Sequence, residues 1–179
     1  NDCLIGLPGS HSKWVQVQDG CLVHFDTFMT GELYAAVCEH TILGRTQQPA
    51  AQFDAAAFAR GVEVALSPDG ERGPLSTLFS ARTLSLTGQL SPVQQPDYVS
   101  GLLIGHELAA LGNVLRRRRG GKPLPAIILI GNTQLCERYR RALGACGFAD
   151  VSLAEQATEQ GLWHLAQAAG LLQHTHLEA

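Results

Sequence analysis

The chain has 179 residues, which favours a single domain, with room for a long insertion, and suffices to bury a core without metal or disulfides. Charged residues make up 16% of the chain and the net charge is −3, so no global attraction to nucleic acid or to an anionic membrane surface is expected. No apolar run approaches the roughly 18 residues of a membrane-spanning helix, so we expect neither such a helix nor a signal peptide.

The chain begins without Met and runs almost at once into an apolar segment, so we expect a fragment of a longer protein. Its five cysteines are an odd number without a C-x-x-C spacing. This pattern argues against a disulfide scaffold and a zinc site, and favours a reduced, cytoplasmic compartment. His174 and His176 could bind a metal, but they lie in a polar tail, 173–179, that we expect to be frayed. No metal site is predicted.

Three short strands are predicted at the start of the chain. Residues 3–8 form a short apolar run that ends at Pro8-Gly9, and residues 13–18 alternate between apolar and polar side chains. Asp19-Gly20 is a strong hairpin signal, and residues 21–28 form the return strand. The three strands are therefore expected to run antiparallel, joined by two tight turns.

A helical stretch is predicted next. Thr30 is predicted as the N-cap of a helix that Gly44 ends. Residues 45–54 are polar and are predicted as a loop, and further helices are expected over 53–66 and 75–84.

A long helix is predicted over residues 97–117, capped by Asp97, with His106 among the residues facing the core. Gly101 and Gly105 lie four residues apart on one helix face, although each costs about 1 kcal/mol against Ala in a helix interior. The pair indicates close approach of another backbone or of a ligand, and simple tight helix packing explains it equally well.

The last part of the chain alternates strands and helices. Residues 126–130 are a continuous apolar run rich in β-branched isoleucine, which is typical of a central strand buried on both faces. The elements predicted after it are a turn at 131–133, a helix at 134–146, a strand at 149–153, and a helix at 155–172 with Leu162, Leu165, Ala166 and Ala169 on its inner face.

The predicted order is therefore three strands, a helical stretch, a long helix, and then strand, helix, strand, helix. This βββαβαβα series is the plan of the ribonuclease H-like fold, an α/β fold with a mixed sheet covered by helices. We expect one such domain over residues 1–172, with a helical insertion over about 30–90.

The most unusual segment is the turn between the first two strands. It places Gly9, Ser10, His11, Ser12 and Lys13 together. Backbone N–H groups in such a turn can form an anion nest, and the hydroxyls and the Lys13 ammonium can add donors and charge. A phosphate is the natural ligand, and an ordinary polar turn is the alternative.

Two further corners could bind a ligand. Gly131, Asn132 and Thr133 lie where a buried strand gives way to a helix, so a flat ligand could lie against the backbone at the helix N-terminus. Thr30, Gly31 and Glu32 offer a hydroxyl and a carboxylate at another helix start, where they could contact a phosphate or magnesium, or simply cap the helix.

Other signals argue against other kinds of function. The four cations of 116–119 could form a nucleic-acid patch, but they lie at a helix C-terminus, where the helix dipole favours cations. No aromatic residues are interleaved with them, so nucleic-acid binding is not expected. The chain also lacks a P-loop, a serine-hydrolase elbow, a zinc-protease helix motif and a kinase catalytic loop.

Several segments together resemble one family of sugar-acid kinases. LPGSHSKWVQV, FDTFMTGELYA, LTGQL, YVSGLLIGHELAA and IILIGNTQLCERYRRAL resemble the C-terminal half of 2-dehydro-3-deoxygalactonokinases, over nearly all of residues 3–172. These enzymes belong to the actin, Hsp70 and hexokinase superfamily. The resemblance implies phosphorylation of the 6-hydroxyl of 2-dehydro-3-deoxy-D-galactonate, with ATP and Mg²⁺.

In that superfamily two ribonuclease H-like domains clamp a nucleotide between them. The resemblance therefore implies that residues 9–13 are the second phosphate turn, that residues 127–133 are the adenosine motif, and that the helix around Gly161 is an interdomain connecting segment. It also implies that the N-terminal half of the enzyme, which carries the first phosphate turn, is a partner absent from this chain.

The resemblance does not name a catalytic base here, because that residue and most sugar-acid contacts are expected in the N-terminal half. Asp26 and Glu32 are the carboxylates expected near the phosphate turn. Another actin-like sugar kinase and a non-enzymatic nucleotide-dependent interaction module stay as alternatives, and an oligomer is possible. The motif FMTGEL argues against the interaction module.

Overall fold

The centre of the fold is a five-stranded mixed sheet. The structure is a computed structural model that describes residues 2–120 and 123–171. Within these ranges the strands are Cys3–Leu7 (β1), Ser12–Gln18 (β2), Cys21–Phe28 (β3), Ala126–Leu129 (β4) and Val151–Leu153 (β5). The helices are Thr30–His40 (α1), Ala55–Leu66 (α2), Pro74–Thr77 (α3), Ser80–Leu86 (α4), Gln95–Arg119 (α5), Thr133–Ala145 (α6) and Ala157–Ala168 (α7).

The strand order is β3-β2-β1-β4-β5. β1 pairs antiparallel with β2, and β2 antiparallel with β3, whereas β4 pairs parallel with both β1 and β5. The predicted mixed α/β class is confirmed. The helices α1 to α4 all fall between β3 and α5, where the helical insertion is predicted.

The β2–β3 turn confirms the predicted hairpin. Asp19 and Gly20 have φ angles of 49° and 77°. Two consecutive positive φ angles are the requirement of the hairpin turn that the Asp-Gly pair favours. The sequence signal therefore specifies the turn through backbone conformation.

One face of the sheet carries the main core. Leu4, Trp14, Ile127 and Leu129 are buried there against apolar side chains of α5 and α6. On the other face of β4, Ala126 and Ile128 are only partly buried. The expectation that this strand is buried on both faces is therefore wrong, because the described helices bury one face of β4 and cover the other only in part.

The glycines of α5 serve helix packing. A Cβ on Gly101 would collide with the carbonyl oxygen of Phe58, and one on Gly61 with the carbonyl oxygen of Tyr98. A Cβ on Gly105 would lie 2.7 Å from Cβ of Ala65. The glycines thus let α2 and α5 pack backbone against backbone, which favours tight helix packing over the ligand that the sequence left open.

Several element boundaries differ from those predicted. The helix expected over 75–84 is two short helices, α3 and α4. Thr30 is the first residue of α1 rather than its cap, and Asp97 lies in the first turn of α5 rather than before it. In both cases the helix starts earlier than its most cap-like residue. For α5 the reason is that the Asp97 carboxylate binds Arg138 and the Asp54 N–H instead of capping.

The expected inner face of the last helix is wrong. No residue of α7 is buried against the described part of the chain, and Leu162 and Leu165 are 61% and 68% exposed. The apolar stripe exists, but helical periodicity does not specify what covers it. The tail 173–179, with His174 and His176, lies outside the described residues.

The long helix α5 is a core helix. By length and composition, Gln95–Arg118 could cross a membrane, but 72% of its most apolar stretch is buried inside the fold. A buried core helix passes the same length and composition test as a membrane span, so the segment is weak evidence of a membrane.

We expect His106 on α5 to make folding sensitive to acid. Its Nε2 lies 2.7 Å from Oγ1 of Thr77, and burial lowers the pKa of its imidazole. The unfolded chain therefore binds the proton more readily than the folded one. The free energy of unfolding should fall as the pH drops below about 6.5, the ordinary His value, and this contribution should be constant above it.

We expect His106→Gln, which can keep the hydrogen bond to Thr77, to reduce this sensitivity. The fall in Tm between about pH 7.5 and about pH 5.5 should be smaller in the variant than in the wild type. Thermal unfolding followed by circular dichroism measures both values. An equal fall in the two proteins would contradict the assignment.

Candidate functional site

Two of the predicted ligand segments meet at one edge of the sheet. Because β1 and β4 are parallel neighbours, the chain leaves both strands at the same edge. The Ile130 N–H donates to the Gly6 carbonyl at 2.9 Å, and a Cβ on Gly131 would lie 3.4 Å from the Pro8 carbonyl oxygen. The turn 9–13 and the corner 131–133 therefore lie side by side.

The corner after β4 is an exposed glycine followed by a capped helix. Gly131 has φ +147°, a conformation that side chains rarely adopt. The Asn132 side chain accepts a hydrogen bond from the Leu135 N–H at 3.1 Å and so caps α6, which begins at Thr133. The corner presents open backbone beside the N-terminus of a helix, which favours polar or anionic groups.

The third predicted segment docks on the turn. A Cβ on Gly31 would collide with the Gly9 carbonyl oxygen and lie 2.8 Å from Cα of Ser10. The Glu32 N–H donates to the Ser10 carbonyl at 2.9 Å. The start of α1 is thus in direct contact with the turn, and only a glycine fits at this position.

The side chains of His11 and Glu32 pair with each other. His11 Nε2 lies 2.5 Å from Oε2 of Glu32, and both side chains are about half exposed. Asp26 lies opposite Trp14 in the β-ladder, and its carboxylate contacts His24 and Arg118. Of the two carboxylates expected near the turn, Glu32 is therefore the one that the structure brings to it.

The hydroxyl of Ser12 points into the protein. Ser12 is fully buried, and its Oγ donates to Oε1 of Glu107 at 2.8 Å. Its proton is therefore directed at Glu107 rather than outward from the turn. Ser10 and Lys13 are exposed, and the Lys13 Nζ lies 3.3 Å from the His11 carbonyl oxygen, so its charge stays at the turn.

Sequence reasoning missed Glu107, which lies directly beneath the turn. It is 3% exposed and accepts hydrogen bonds from Ser12 Oγ, from Trp14 Nε1 at 2.6 Å, and from the Tyr139 hydroxyl at 2.8 Å. Burial, followed by the charge of Glu107, raises the pKa of Tyr139 well above its ordinary value, so Tyr139 stays a donor. The signal that could have found Glu107 is an acid on an apolar helix face, about one turn from Leu103 and Leu111.

A cavity of about 320 Å³ opens beside the turn. Gly9 and Gly31 form one side of it, and Tyr34, Leu135 and Arg138 form others. Its size is at the lower end of the range for small-molecule sites. Burial is the main cause that raises the pKa of Tyr34 to about 12, so its hydroxyl stays protonated.

Arg138 is held rigidly at this cavity. Its guanidinium forms a salt bridge with Asp97 at 2.8 Å and lies 4.4 Å from the centroid of the Phe53 ring. Asp97 also accepts a hydrogen bond from the Asp54 N–H at 2.8 Å. The start of α2 is thereby tied to α6, so the insertion and the corner are fixed relative to each other.

Comparisons with known proteins agree on one family. The sequence model described as 2-keto-3-deoxy-galactonokinase matches residues 1–165. The 2-dehydro-3-deoxygalactonokinase of Escherichia coli (strain K12) is 32% identical over 163 residues, covering 90% of this chain and 52% of that protein. DgoK1 of Rhizobium meliloti (strain 1021), assigned to the same activity, is 32% identical over 166 residues, covering 92% and 52%.

A solved structure is also similar. The crystal structure of a protein from Sinorhizobium meliloti, assigned as a 2-dehydro-3-deoxygalactonokinase, superposes with a TM-score of 0.81 at 31% identity. The match covers 96% of this chain and 56% of that one. The chain spans about half the length of the curated relatives it matches. It belongs to the 2-keto-3-deoxy-galactonokinase family.

Proposed function

We propose that this chain is the C-terminal, nucleotide-binding half of an ATP-dependent 2-dehydro-3-deoxygalactonokinase with a ribonuclease H-like fold. The reaction is phosphoryl transfer from ATP to the 6-hydroxyl of 2-dehydro-3-deoxy-D-galactonate. The observation that carries the proposal is the meeting of the turn 9–13 and the corner 131–133 at one sheet edge. The names of the relatives support the substrate.

The turn 9–13 is proposed to bind the β- and γ-phosphates. Gly9 and Ser10 offer backbone N–H groups at an exposed turn, and the Lys13 ammonium supplies positive charge beside them. The N-terminus of α1, with Thr30, Gly31 and Glu32, adds the positive end of a helix dipole. Ser12 supports the turn from inside rather than donating to phosphate.

Adenosine is proposed to bind at the corner 131–133 and in the neighbouring cavity. Gly131 leaves space for a flat ring against the backbone, and Leu135 supplies an apolar wall of the cavity. Tyr34 and Arg138 line the cavity with polar groups whose positions are fixed by packing. The residues present therefore fit a nucleotide by shape and by donor chemistry.

Magnesium would neutralise phosphate charge when bound, and it typically uses one or two carboxylates together with the phosphate oxygens and water. Glu32 is the candidate carboxylate at the turn. Phosphoryl transfer depends mainly on positioning and charge neutralisation, so these residues act by holding the phosphates in place. The catalytic base is expected in the N-terminal half.

The cysteines are compatible with a reducing, cytoplasmic compartment. All five are free: Cys3, Cys21, Cys38, Cys136 and Cys146.

The proposal is tested by assaying the full native protein with ATP, Mg²⁺ and the sugar acid. We expect ADP release that depends on 2-dehydro-3-deoxy-D-galactonate. ³¹P NMR of the product should show that the phosphoryl group is on the 6-position. The matched control substrate is the C4 epimer, 2-dehydro-3-deoxy-D-gluconate, which we expect to react more slowly. ATP-dependent turnover of another sugar acid only would favour a different sugar kinase, and an absence of turnover would contradict the proposal.

A further inference from the structure

The buried polar cluster beneath the turn joins three elements through one carboxylate. Ser12 and Trp14 come from β2, Glu107 from α5 and Tyr139 from α6, and each is at most 3% exposed. Glu107 Oε1 accepts from Ser12 and Trp14, and Oε2 accepts from Tyr139. Among the described residues, no Lys, Arg or His lies within ion-pairing distance of this carboxylate.

Burying a carboxylate without a cation nearby costs folding free energy. Desolvation penalises the charge, and apolar residues of similar volume often stabilise a fold equally well or better. Three hydrogen bonds to Glu107 offset this desolvation penalty, but they do not explain why residue 107 is an acid. We therefore look for a role of the Glu107 carboxylate other than stabilising the fold.

The direction of the hydrogen bonds indicates such a role. A carboxylate only accepts, so the protons of Ser12, Trp14 and Tyr139 must all point at Glu107. This fixes the Ser12 hydroxyl at the base of the turn and the Tyr139 ring on the helix that begins at the corner. One acid thus sets the spacing between the turn 9–13 and α6.

We propose that Glu107 is a positioning residue that holds the turn and α6 at the separation needed to bind the two ends of one nucleotide together. It acts through Ser12 and Tyr139, because it does not line the cavity beside the turn where the nucleoside is proposed to bind. The cavity that Glu107 does line is a different one, of about 650 Å³, which it shares with Phe28 and His106. The inference rests on the proposed function. Glu107 should therefore matter for binding intact ATP, in which the phosphates are joined to the nucleoside, and not for binding either part alone.

Glu107→Gln in the full native protein tests the inference. The amide has nearly the same shape, and its oxygen can still accept from Ser12 and Trp14. Its NH2 group cannot accept the hydrogen bond that Tyr139 donates to Oε2, so the variant breaks the link to α6. We expect the affinity for ATP by calorimetry and kcat each to fall about tenfold or more, as small misplacements do. The affinity for adenosine alone and the KM for the sugar acid should stay at wild-type values.

Two further variants control for folding and for charge. Ser12→Ala removes a single bond of the cluster and should reproduce the ATP defect, and adding it to Glu107→Gln should cause little further loss, because both break one unit. Glu63→Gln makes the same chemical change on the exposed face of α2 and should leave ATP binding unchanged.

The outcomes separate the inference from the proposed function. If the wild type binds ATP and both cluster variants bind it equally well, with only a lower Tm, Glu107 is structural and the inference is overturned. Equal losses for ATP and adenosine would also overturn it, because the defect would then be general. If the wild-type protein does not bind ATP, the proposed function itself fails.

Discussion

Replacing Gly31 with alanine is expected to lower kcat/KM by about 100-fold, or about 2.7 kcal/mol of transition-state stabilisation. The added Cβ would overlap the Gly9 carbonyl oxygen and lie 2.8 Å from Cα of Ser10. Both neighbours are backbone, so the turn itself must move away from α1, and the Glu32 N–H bond to Ser10 must lengthen. Steady-state kinetics of the full native protein measure the effect.

The matched control is Gly144→Ala in α6. Its Cβ would meet nothing within 4 Å, so the change adds helix propensity, worth about 1 kcal/mol, without a collision. This variant should be at least as stable as the wild type and equally active. Wild-type kinetics for Gly31→Ala would mean that the contact between α1 and the turn does not matter for phosphoryl transfer.

The parts of the site that the sequence predicts are those specified by local chemistry and simple topology. Asp19-Gly20 specifies a turn by its own backbone preferences. A glycine corner after an isoleucine-rich apolar run is also visible in the sequence. Its position beside the turn 9–13 follows from the parallel pairing of β1 with β4, which the local sequence does not specify.

The parts that could not be predicted depend on contacts between distant segments. From the sequence, the pair Gly101 and Gly105 is explained equally well by a ligand site and by helix packing. The contact between Gly61, forty residues before Gly101, and the Tyr98 backbone decides for helix packing. In the sequence, Gly31 is only one residue of a predicted helix start. The structure shows that the turn 9–13 packs directly on it. Glu107 gave a weak signal, but its partners Ser12 and Tyr139 lie 95 and 32 residues away along the chain.

The exposed stripe of α7 shows a different limit. Leu162 and Leu165 follow helical spacing, so the sequence correctly predicts an amphipathic helix, yet neither is buried against the described residues. Periodicity identifies an apolar face and contains no information on what packs against it. The same holds for the second face of β4, where Ile128 is only partly buried.

Replacing Gly131 with valine is expected to raise the KM for ATP at least tenfold while leaving the KM for the sugar acid nearly unchanged. Gly131 has φ +147°, and a Cβ there would project into the corner 3.4 Å from the Pro8 carbonyl oxygen. The valine side chain would therefore occupy the volume proposed for adenosine. The two substrates are proposed to bind different halves of the enzyme, so the two effects should separate.

Backbone strain must be distinguished from loss of the ligand's space, because a side chain at such a φ costs roughly 1–3 kcal/mol. Gly88→Val is the matched control: Gly88 also has positive φ, +70°, with nothing within 4 Å of its Cβ, and it lies in the insertion, outside the turn and the corner. This variant should lower Tm by a similar amount without changing the KM for ATP. If folded Gly131→Val binds ATP as tightly as the wild type by calorimetry, the nucleotide does not lie against Gly131. The adenosine site would then have to be sought in the cavity between α1 and α6 alone.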